Sequence, residues 1–459
     1  MGIFRAYDIR GLYPGELDEE TAGRVARAFA GYSRGGRLVC ACDVRPSSPS
    51  MKKAVLEALV ASGVKVLDIG TVPTPLLYFS IVHLDCAGGI MVTASHNPPE
   101  YNGLKVCGKE KGLVKKIGYD TGLAKIEKMV KKEEREGRKA GRKGMGRRGA
   151  VEGIDIVPSY ERHVLERVRL APAKRLRVAV DCGNGVAGTV APRLLRKLGC
   201  EVTELYCNPD PAFPNHLPDP TKEETLNDLI RTVKEKRLDL GIALDADADR
   251  VVFIDEKGGI VRGDVALAVF AEKILERRPG AKFISEVKVS RGVFERIEAL
   301  GGKPVMSRVG HAYLHEKMKE TGAEVAGELS GHFYFRDNYV NDDGIYAAAK
   351  MAELLSRGAR LSELAERVPK YFSTPEIRVH CADDRKFRVV EKAAKAFKKK
   401  YDVVAIDGAR VELPDAWGLV RASNTEPALT LRFEGKTRRA LERIRGIVAG
   451  ELKKQGVSI

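Results

Sequence analysis

Short apolar runs and amphipathic stretches take turns along most of this chain. RLVCACDV (37–44), VKVLDIG (64–70) and GGIMVTAS (88–95) are apolar at most positions, the pattern of strands buried on both faces. Between the first two, MKKAVLEALVASG (51–63) repeats its apolar residues at helical spacing, which predicts a helix packed on that sheet. The alternation resumes with RLRVAVD (175–181), a helical VAGTVAPRLLRKLG (186–199), EVTELYC (201–207) and a helical ETLNDLIRTVKEKR (224–237). It begins a third time with VVFID (251–255), DVALAVFAEKILERR (264–278) and KFISEV (282–287), running on to IYAAAKMAELLSRG (345–358). Strands alternating with helices predict layered α/β domains, three in series. Past VPKYFSTPEIRVH (368–380) the rhythm changes. A helix, RKFRVVEKAAKAFKKK (385–400), is followed by short strands in YDVVAIDGARVELP (401–414), GLVRAS (418–423) and ALTLRFE (428–434), and then a last helix. That predicts a smaller α+β domain. The expected architecture is α/β, with four domains around a central cleft, at 1–157, 158–257, 258–371 and 372–459.

Composition narrows the class. At 459 residues the chain is too long for one core. Hydrophobic residues at 44% and charged residues at 31% belong to globular proteins, and no apolar run nears the roughly 18 residues that cross a membrane. MGIFRAYDIRG carries charge from residue 5 and has no apolar signal core, so a cytoplasmic location is expected. Ala6 stands where a myristoylation signal wants Ser or Thr. Of eight scattered cysteines only Cys40 and Cys42 lie close together, inside a strand-like run, so they read as buried small apolar residues rather than metal ligands. Gln455 is the only glutamine among many Lys, Arg and Glu, a bias resembling heat-adapted proteins, which leaves disulfides open.

The net charge of +16 asks for an anionic partner. Part of it is local: segment 131–148, KKEEREGRKAGRKGMGRR, holds nine basic and three acidic residues, hence +6. Without interleaved aromatics for base stacking it reads as a solvated loop, and no nucleic acid or membrane partner is expected. The remaining charge suits a protein that handles phosphorylated small molecules, as a monomer or small homo-oligomer.

Four motifs bear chemistry. In LGIALDADADR (240–250) a buried run breaks into Asp245, Asp247 and Asp249. Three carboxylates this close repel one another unless a hard cation joins them, and Mg²⁺ fits. Arg250 occupies the position where a calcium loop needs glycine, which excludes the EF-hand. In RASNTEPALTLRFEG (421–435), Arg421, Ser423, Asn424 and Thr425 crowd a turn that could be a phosphate cradle or a plain hairpin loop. In GELSGHFYF (327–335), Glu328, Ser330 and His332 alternate, so on extended chain they share a side and suit sugar hydroxyls. In VTASHNPPEYNGLKV (92–106), Ser95 ends a strand and Asn97-Pro98-Pro99 prevents a helix behind it. On extended backbone His96 would point away from Ser95, which argues against a Ser-His hydrolase.

Together these motifs, in this order, resemble the α-D-phosphohexomutase family, closest to its phosphomannomutase/phosphoglucomutase branch. The likeness spans FRAYDIRG, TASHNPPEYNGLK, DADADR, GELSGH and RASNTEP. It implies a phosphoserine enzyme carrying its phosphoryl group on Ser95, with Mg²⁺ on Asp245, Asp247, Asp249 and Ser95, and hexose 1,6-bisphosphate as activator. The reaction implied exchanges hexose 1-phosphate and 6-phosphate. The resemblance also implies that Arg421, Ser423, Asn424 and Thr425 hold the idle phosphate, and that Glu328 and Ser330 hold sugar hydroxyls. Lys288, His311 and His332 match further substrate contacts. Tyr7, Arg10, Lys105 and Arg250 match positions near the reacting phosphate, with Lys105, His311 and His332 as candidate proton acceptors. Leu329 and the RASNTEP loop resemble the mannose/glucose branch more than the glucosamine branch, so use of both sugars is expected. The alternatives are a phosphoglucosamine mutase and a metal-dependent sugar phosphatase.

Overall fold

The computed structural model describes residues 2–33, 35–136, 149–172, 175–423 and 427–458. Residues 137–148 of the basic segment, and Asn424 and Thr425, lie outside the described residues. So does the side chain of His311. The chain forms two compact units, Met1–Ala266 with Ser330–Leu364, and Leu267–Leu329 with Ala365–Ile459.

In the first unit, an N-terminal sheet runs Ile9–Leu12, Tyr101–Glu110, Gly88–Val92, Leu38–Cys42, Lys65–Thr71, Ala150–Gly153, with Leu113–Lys116 paired to Tyr101–Glu110. The last four strands of that order are parallel to one another, and the first two antiparallel. LVCAC and GGIMV are buried at every position, which is why these runs lack a polar face. Helices Glu19–Tyr32 and Ser48–Ala61 pack together over one face, burying Phe29, Met51, Val55 and Leu59 at about 1.5–3 kcal/mol for each large apolar side chain. Asp18 caps the first helix by accepting from Thr21 N at 2.8 Å, and a proline sits in the first turn of the second. The basic segment opens inside a helix, Ala124–Glu136, where Glu133 and Glu134 pair with Arg27 and Arg24.

The second sheet of this unit has the order Ile260–Val261, Val251–Ile254, Leu240–Leu244, Arg177–Asp181, Glu201–Leu205. Leu240–Leu244 lies parallel to Arg177–Asp181 and antiparallel to Val251–Ile254. Asp245 to Arg250 are therefore the tight turn of a hairpin at the carboxyl end of a parallel strand, the edge at which open α/β sheets bind ligands. The stretch 186–199, expected as one helix, is a 3₁₀ turn, Val186–Thr189, followed by a helix, Ala191–Lys197, that restarts around Pro192.

The second unit holds three parallel strands, with Lys282–Glu286 between Lys303–Ser307 and Val325–Gly327. It also holds an antiparallel sheet in the order Phe372–Ser373, Ala428–Gly435, Ala416–Ala422, Ala409–Leu413, Asp402–Val404, with Ile377–His380 also paired to Ala428–Gly435. Helices Lys386–Phe397 and Arg438–Lys453 bury its apolar face, including Val420, Leu431, Phe433 and Ile444. The opposite face is polar yet covered. Arg410 stacks on Trp417 at 3.7 Å and donates to the carbonyls of Val287 and Val289, on either side of Lys288, at 2.7 and 3.0 Å. All eight cysteines are buried and unbridged, Cys40 and Cys42 among them. No helix among the described residues is long and apolar enough to cross a membrane.

Candidate active site

Strand Gly88–Val92 and the hairpin after Leu240–Leu244 bring Ser95 to the acidic triplet. Ser95 is 1% exposed and its hydroxyl donates to Asp245 Oδ2 at 2.9 Å. Asp245, Asp247 and Asp249 are 0%, 0% and 3% exposed, and their ligating oxygens all lie within 4.8 Å of one another. Lys105, on strand Tyr101–Glu110, donates to Asp247 Oδ2 at 2.6 Å and to Asp249 Oδ2 at 2.5 Å. Thr74 adds a hydroxyl donor to Asp247 Oδ2 at 2.6 Å, and its backbone N donates to Asp247 O at 2.9 Å.

The electrostatics follow from this crowding. Burial, and then the charges of Asp249 and Asp247, push the Asp245 carboxyl well above the usual range. Burial alone would lower the Lys105 ammonium, but Asp247, Asp249 and Asp245 outweigh it and raise it. Lys105 is thus a fixed cation. Asp247 Oδ1 is buried with no hydrogen-bond partner among the described residues, a cost that a hard cation bound there would remove. Three buried carboxylates with an oxygen left over are an oxygen-donor set suited to a divalent hard cation.

Around this core stand Arg250, His332, Ser330 and Arg10. Arg250 N donates to Asp245 Oδ1 at 3.1 Å, and its Nε lies 3.3 Å from His332 Nε2. His332 Nε2 is 3.5 Å from Asp249 Oδ1, while Nδ1 pairs with Ser330 Oγ at 3.0 Å. Arg10 reaches Asn97 Oδ1 and Asp8 Oδ2, both at 2.5 Å. Tyr7 is half-buried a few residues earlier.

Two expectations about local geometry fail. Ser95 is not on extended backbone; its φ is +49°, and this left-handed turn brings its hydroxyl to 3.3 Å from His96 Nδ1. His96 was expected to point away, yet it faces the serine. The charge of Arg250, then burial, then the charge of Arg10 hold its pKa well below the usual histidine value, so it is neutral. Likewise Glu328, Ser330 and His332 do not share the side of a strand. Leu329 and Ser330 form a turn and Gly331 has φ +91°, so Ser330 and His332 meet through a hydrogen bond while Glu328 belongs to the other unit.

In the second unit, Lys288 pairs with Glu376 at 3.2 Å. Glu328 is 4% exposed and accepts from Gly310 N at 3.1 Å, next to His311 at the start of helix His311–Thr321. Arg421 pairs with Asp407 Oδ2 at 3.3 Å, and the same oxygen accepts from Val309 N at 2.9 Å. Ser423 is buried beside Arg421 at the end of strand Ala416–Ala422. Thr74, Glu376 and Asp407 escape the sequence reading, because each acts through a partner distant in the chain and sits in no chemical motif, while Asn97 lies inside the TASHNPP motif but reads there only as part of a helix stop.

A fold of three α/β/α domains and a C-terminal domain with an antiparallel sheet, with a serine set against buried carboxylates, defines a class of phosphosugar-handling enzymes. The chain matches, in order, the family descriptions phosphoglucomutase/phosphomannomutase α/β/α domain I (residues 1–136), domain II (158–259), domain III (262–371) and the C-terminal domain (376–451). It is 42% identical over 457 residues to a phosphomannomutase/phosphoglucomutase of Pseudomonas aeruginosa, covering 98% of this chain and 95% of that protein. A crystal structure of a phosphoglucomutase/phosphomannomutase family protein from Burkholderia thailandensis superposes with a TM-score of 0.90 at 37% identity, covering 100% and 99% of the two chains. The fold also extends to an N-acetylphosphoglucosamine mutase of Aspergillus fumigatus, solved in complex with GlcNAc-6P and magnesium, at a TM-score of 0.58 and 15% identity over 99% and 96% of the two chains. The chain belongs to the phosphomannomutase/phosphoglucomutase branch of the α-D-phosphohexomutase superfamily.

Proposed function

We propose that this phosphomannomutase/phosphoglucomutase interconverts the 1- and 6-phosphates of mannose and of glucose, with Ser95 as the residue that carries the transferring phosphoryl group. The observation that carries the reading is the Ser95 hydroxyl, seated 2.9 Å from Asp245 against the buried carboxylate cluster. Mg²⁺ held by Asp245, Asp247, Asp249 and the Ser95 oxygen would offset the phosphoryl charge.

In the forward half-reaction, the bond between phosphorus and Ser95 Oγ breaks and a bond to the free sugar hydroxyl forms, giving hexose 1,6-bisphosphate. The hydroxyl proton leaves to a base on the enzyme. Lys105, gripped by two carboxylates, stays an ammonium and stabilises charge at the transferring group. His332 takes the proton. Its Nε2 lone pair is met by the Arg250 N–H and its Nδ1 by Ser330 Oγ, so the proton goes to Nε2 once Arg250 turns to the reacting phosphate. Arg10, Arg250 and Tyr7 hold the reacting phosphate. Glu328, Ser330, Lys288 and His311 hold the sugar, and Arg421, Ser423, Asn424 and Thr425 hold the idle phosphate. The bisphosphate reorients and returns its other phosphate to Ser95, so the net exchange needs no water. We take the domains to run 1–157, 158–257, 258–371 and 372–459, so that each contributes one motif.

The test is turnover of mannose 1-phosphate and glucose 1-phosphate with Mg²⁺ and a trace of glucose 1,6-bisphosphate, comparing wild type with Ser95→Ala. Primer-dependent formation of both 6-phosphates, lost in the variant, is expected. Release of inorganic phosphate would replace the mutase with a phosphatase, and turnover of glucosamine 6-phosphate alone would move the substrate.

A further inference from the structure

Ser95 is held from behind by a residue that no chemical motif marks. Arg45 follows strand Leu38–Cys42, and its side chain is 0% exposed. Its Nη2 donates to the carbonyls of Ser95 and Asn97, both at 2.5 Å, and its Nη1 to those of Pro98 and Tyr101 at 2.6 and 3.0 Å. Its Nε donates to Asp43 Oδ2 at 3.1 Å. A guanidinium has five N–H donors in one plane, and here all five are spent, four on the carbonyls of a single loop.

Asp43 closes the circuit. It accepts from Thr93 Oγ1 at 2.7 Å and from Ser48 Oγ at 2.5 Å, and Thr93 Oγ1 in turn accepts from Ser95 N at 2.9 Å. Both backbone polar groups of Ser95 therefore end on the Asp43–Arg45 pair, one through Thr93 and one directly. Between these fixed points the serine adopts φ +49°, a conformation that a residue with a side chain keeps only when its surroundings impose it. Pro98 and Pro99 have no N–H, so the loop has few other means of fixing its shape. A buried ion pair is a poor way to add stability, since an apolar residue in its place is often neutral or better. What this pair supplies is the direction of one hydroxyl.

We propose that Arg45 is a positioning residue for phosphoryl transfer, acting with Thr93 to hold the Ser95 Oγ against the carboxylate cluster. The inference rests on the reading of Ser95 as the phosphoryl carrier. A lysine at 45 keeps the charge but cannot span four carbonyls from one ammonium. Thr93→Val keeps shape and removes only the hydroxyl between Ser95 N and Asp43.

The experiment compares wild type, Arg45→Lys and Thr93→Val in the primed mutase assay. It adds circular dichroism, Mn²⁺ titration, and intact mass after incubation with glucose 1,6-bisphosphate. Misplacing a reacting atom by about 1 Å costs on the order of 100-fold, so kcat should fall about 100-fold in Arg45→Lys and about 10-fold in Thr93→Val. KM should stay within about 3-fold of wild type and Mn²⁺ affinity should fall by less than about 10-fold, because neither residue touches the sugar or the three carboxylates and only the Ser95 oxygen among the metal ligands shifts. A folded Arg45→Lys enzyme with kcat within about 3-fold of wild type overturns the proposal. A parallel collapse of kcat, KM and Mn²⁺ affinity also overturns it, since that is general damage. If Arg45→Lys does not fold, Thr93→Val decides by the same split. Wild-type enzyme that never gains a phosphate on Ser95 would defeat the underlying reading instead. Phosphorylated wild type beside unimpaired variants would defeat this inference alone.

Discussion

A methyl group at Gly331 should disable the enzyme, while the same methyl at Gly358 should not. The two glycines have nearly the same backbone, φ +91° and +92°. Alanine at either position bears a conformational cost of about 1–3 kcal/mol. They differ in what surrounds them. At Gly358, exposed after helix Gly344–Leu355, an added Cβ meets nothing within 4 Å. At Gly331 it would stand 2.6 Å from the Val251 carbonyl oxygen. Ordinary contact begins at 3.4 Å, so 3.4 − 2.6 = 0.8 Å must be found. Val251 cannot easily give way, because it is paired with Leu244 and its N donates to Gly331 O at 3.0 Å. The shift therefore falls on Ser330–His332, carrying the imidazole away from Arg250 and Asp249. A displacement approaching 1 Å at a reacting group costs on the order of 100-fold. The assay is kcat on both sugar phosphates, normalised to phosphoserine content. Gly358→Ala should stay within about 2-fold of wild type, and Gly331→Ala should fall about 30- to 100-fold. Equal activity in the two variants would refute the argument from close approach.

Two further outcomes follow from the first unit. Asp247→Asn should weaken Mn²⁺ binding by about two orders of magnitude, because it removes one of three carboxylate charges and the oxygen left without a partner; unchanged affinity in a calorimetric titration would place the metal elsewhere. Burial pushes the Asp343 carboxyl up to about 6 from 3.8, so the stability it contributes is present below pH 3.8 and lost as pH rises through 6. Relative to Asp343→Asn, wild type should lose about 3 kcal/mol across that window. Hydrogen exchange of helix Gly344–Leu355, which Asp343 caps, would read the loss, and parallel pH profiles would deny it.

Periodicity carried the architecture and motifs carried the chemistry, but not the shape of the loops between them. Strands such as GGIMV and LGIAL are legible because burial on both faces leaves no polar position in the run. The triplet of Asp245, Asp247 and Asp249 is legible because so many charges at the end of such a run have no structural use. Ser95 reads as extended because strands usually continue straight, whereas in the fold its backbone is held in a turn by hydrogen bonds with Thr93 and Arg45. For Glu328, Ser330 and His332, alternation was followed past a Ser-Gly pair that signals a turn. Thr74 and Asp407 were not legible. Thr74 meets Asp247 across 173 residues, and Asp407 meets Val309 across 98, and pairings at that range exist only after folding.

The first compact unit is discontinuous: the chain leaves it at Ala266 and returns at Ser330. This has a consequence for how the protein comes off the ribosome. Ser95 is made early, its carboxylate partners some 150 residues later, and His332 later still. At about 5–20 residues per second, the interval from residue 95 to residue 332 is roughly 10 to 50 s. Until the acidic hairpin is made, the nascent N-terminal sheet presents Lys105 without the carboxylates of Asp247 and Asp249 that neutralise it. Assembly of the group formed by Ser95, Asp245, Asp249 and His332 is thus tied to synthesis of a return segment that begins only at Ser330.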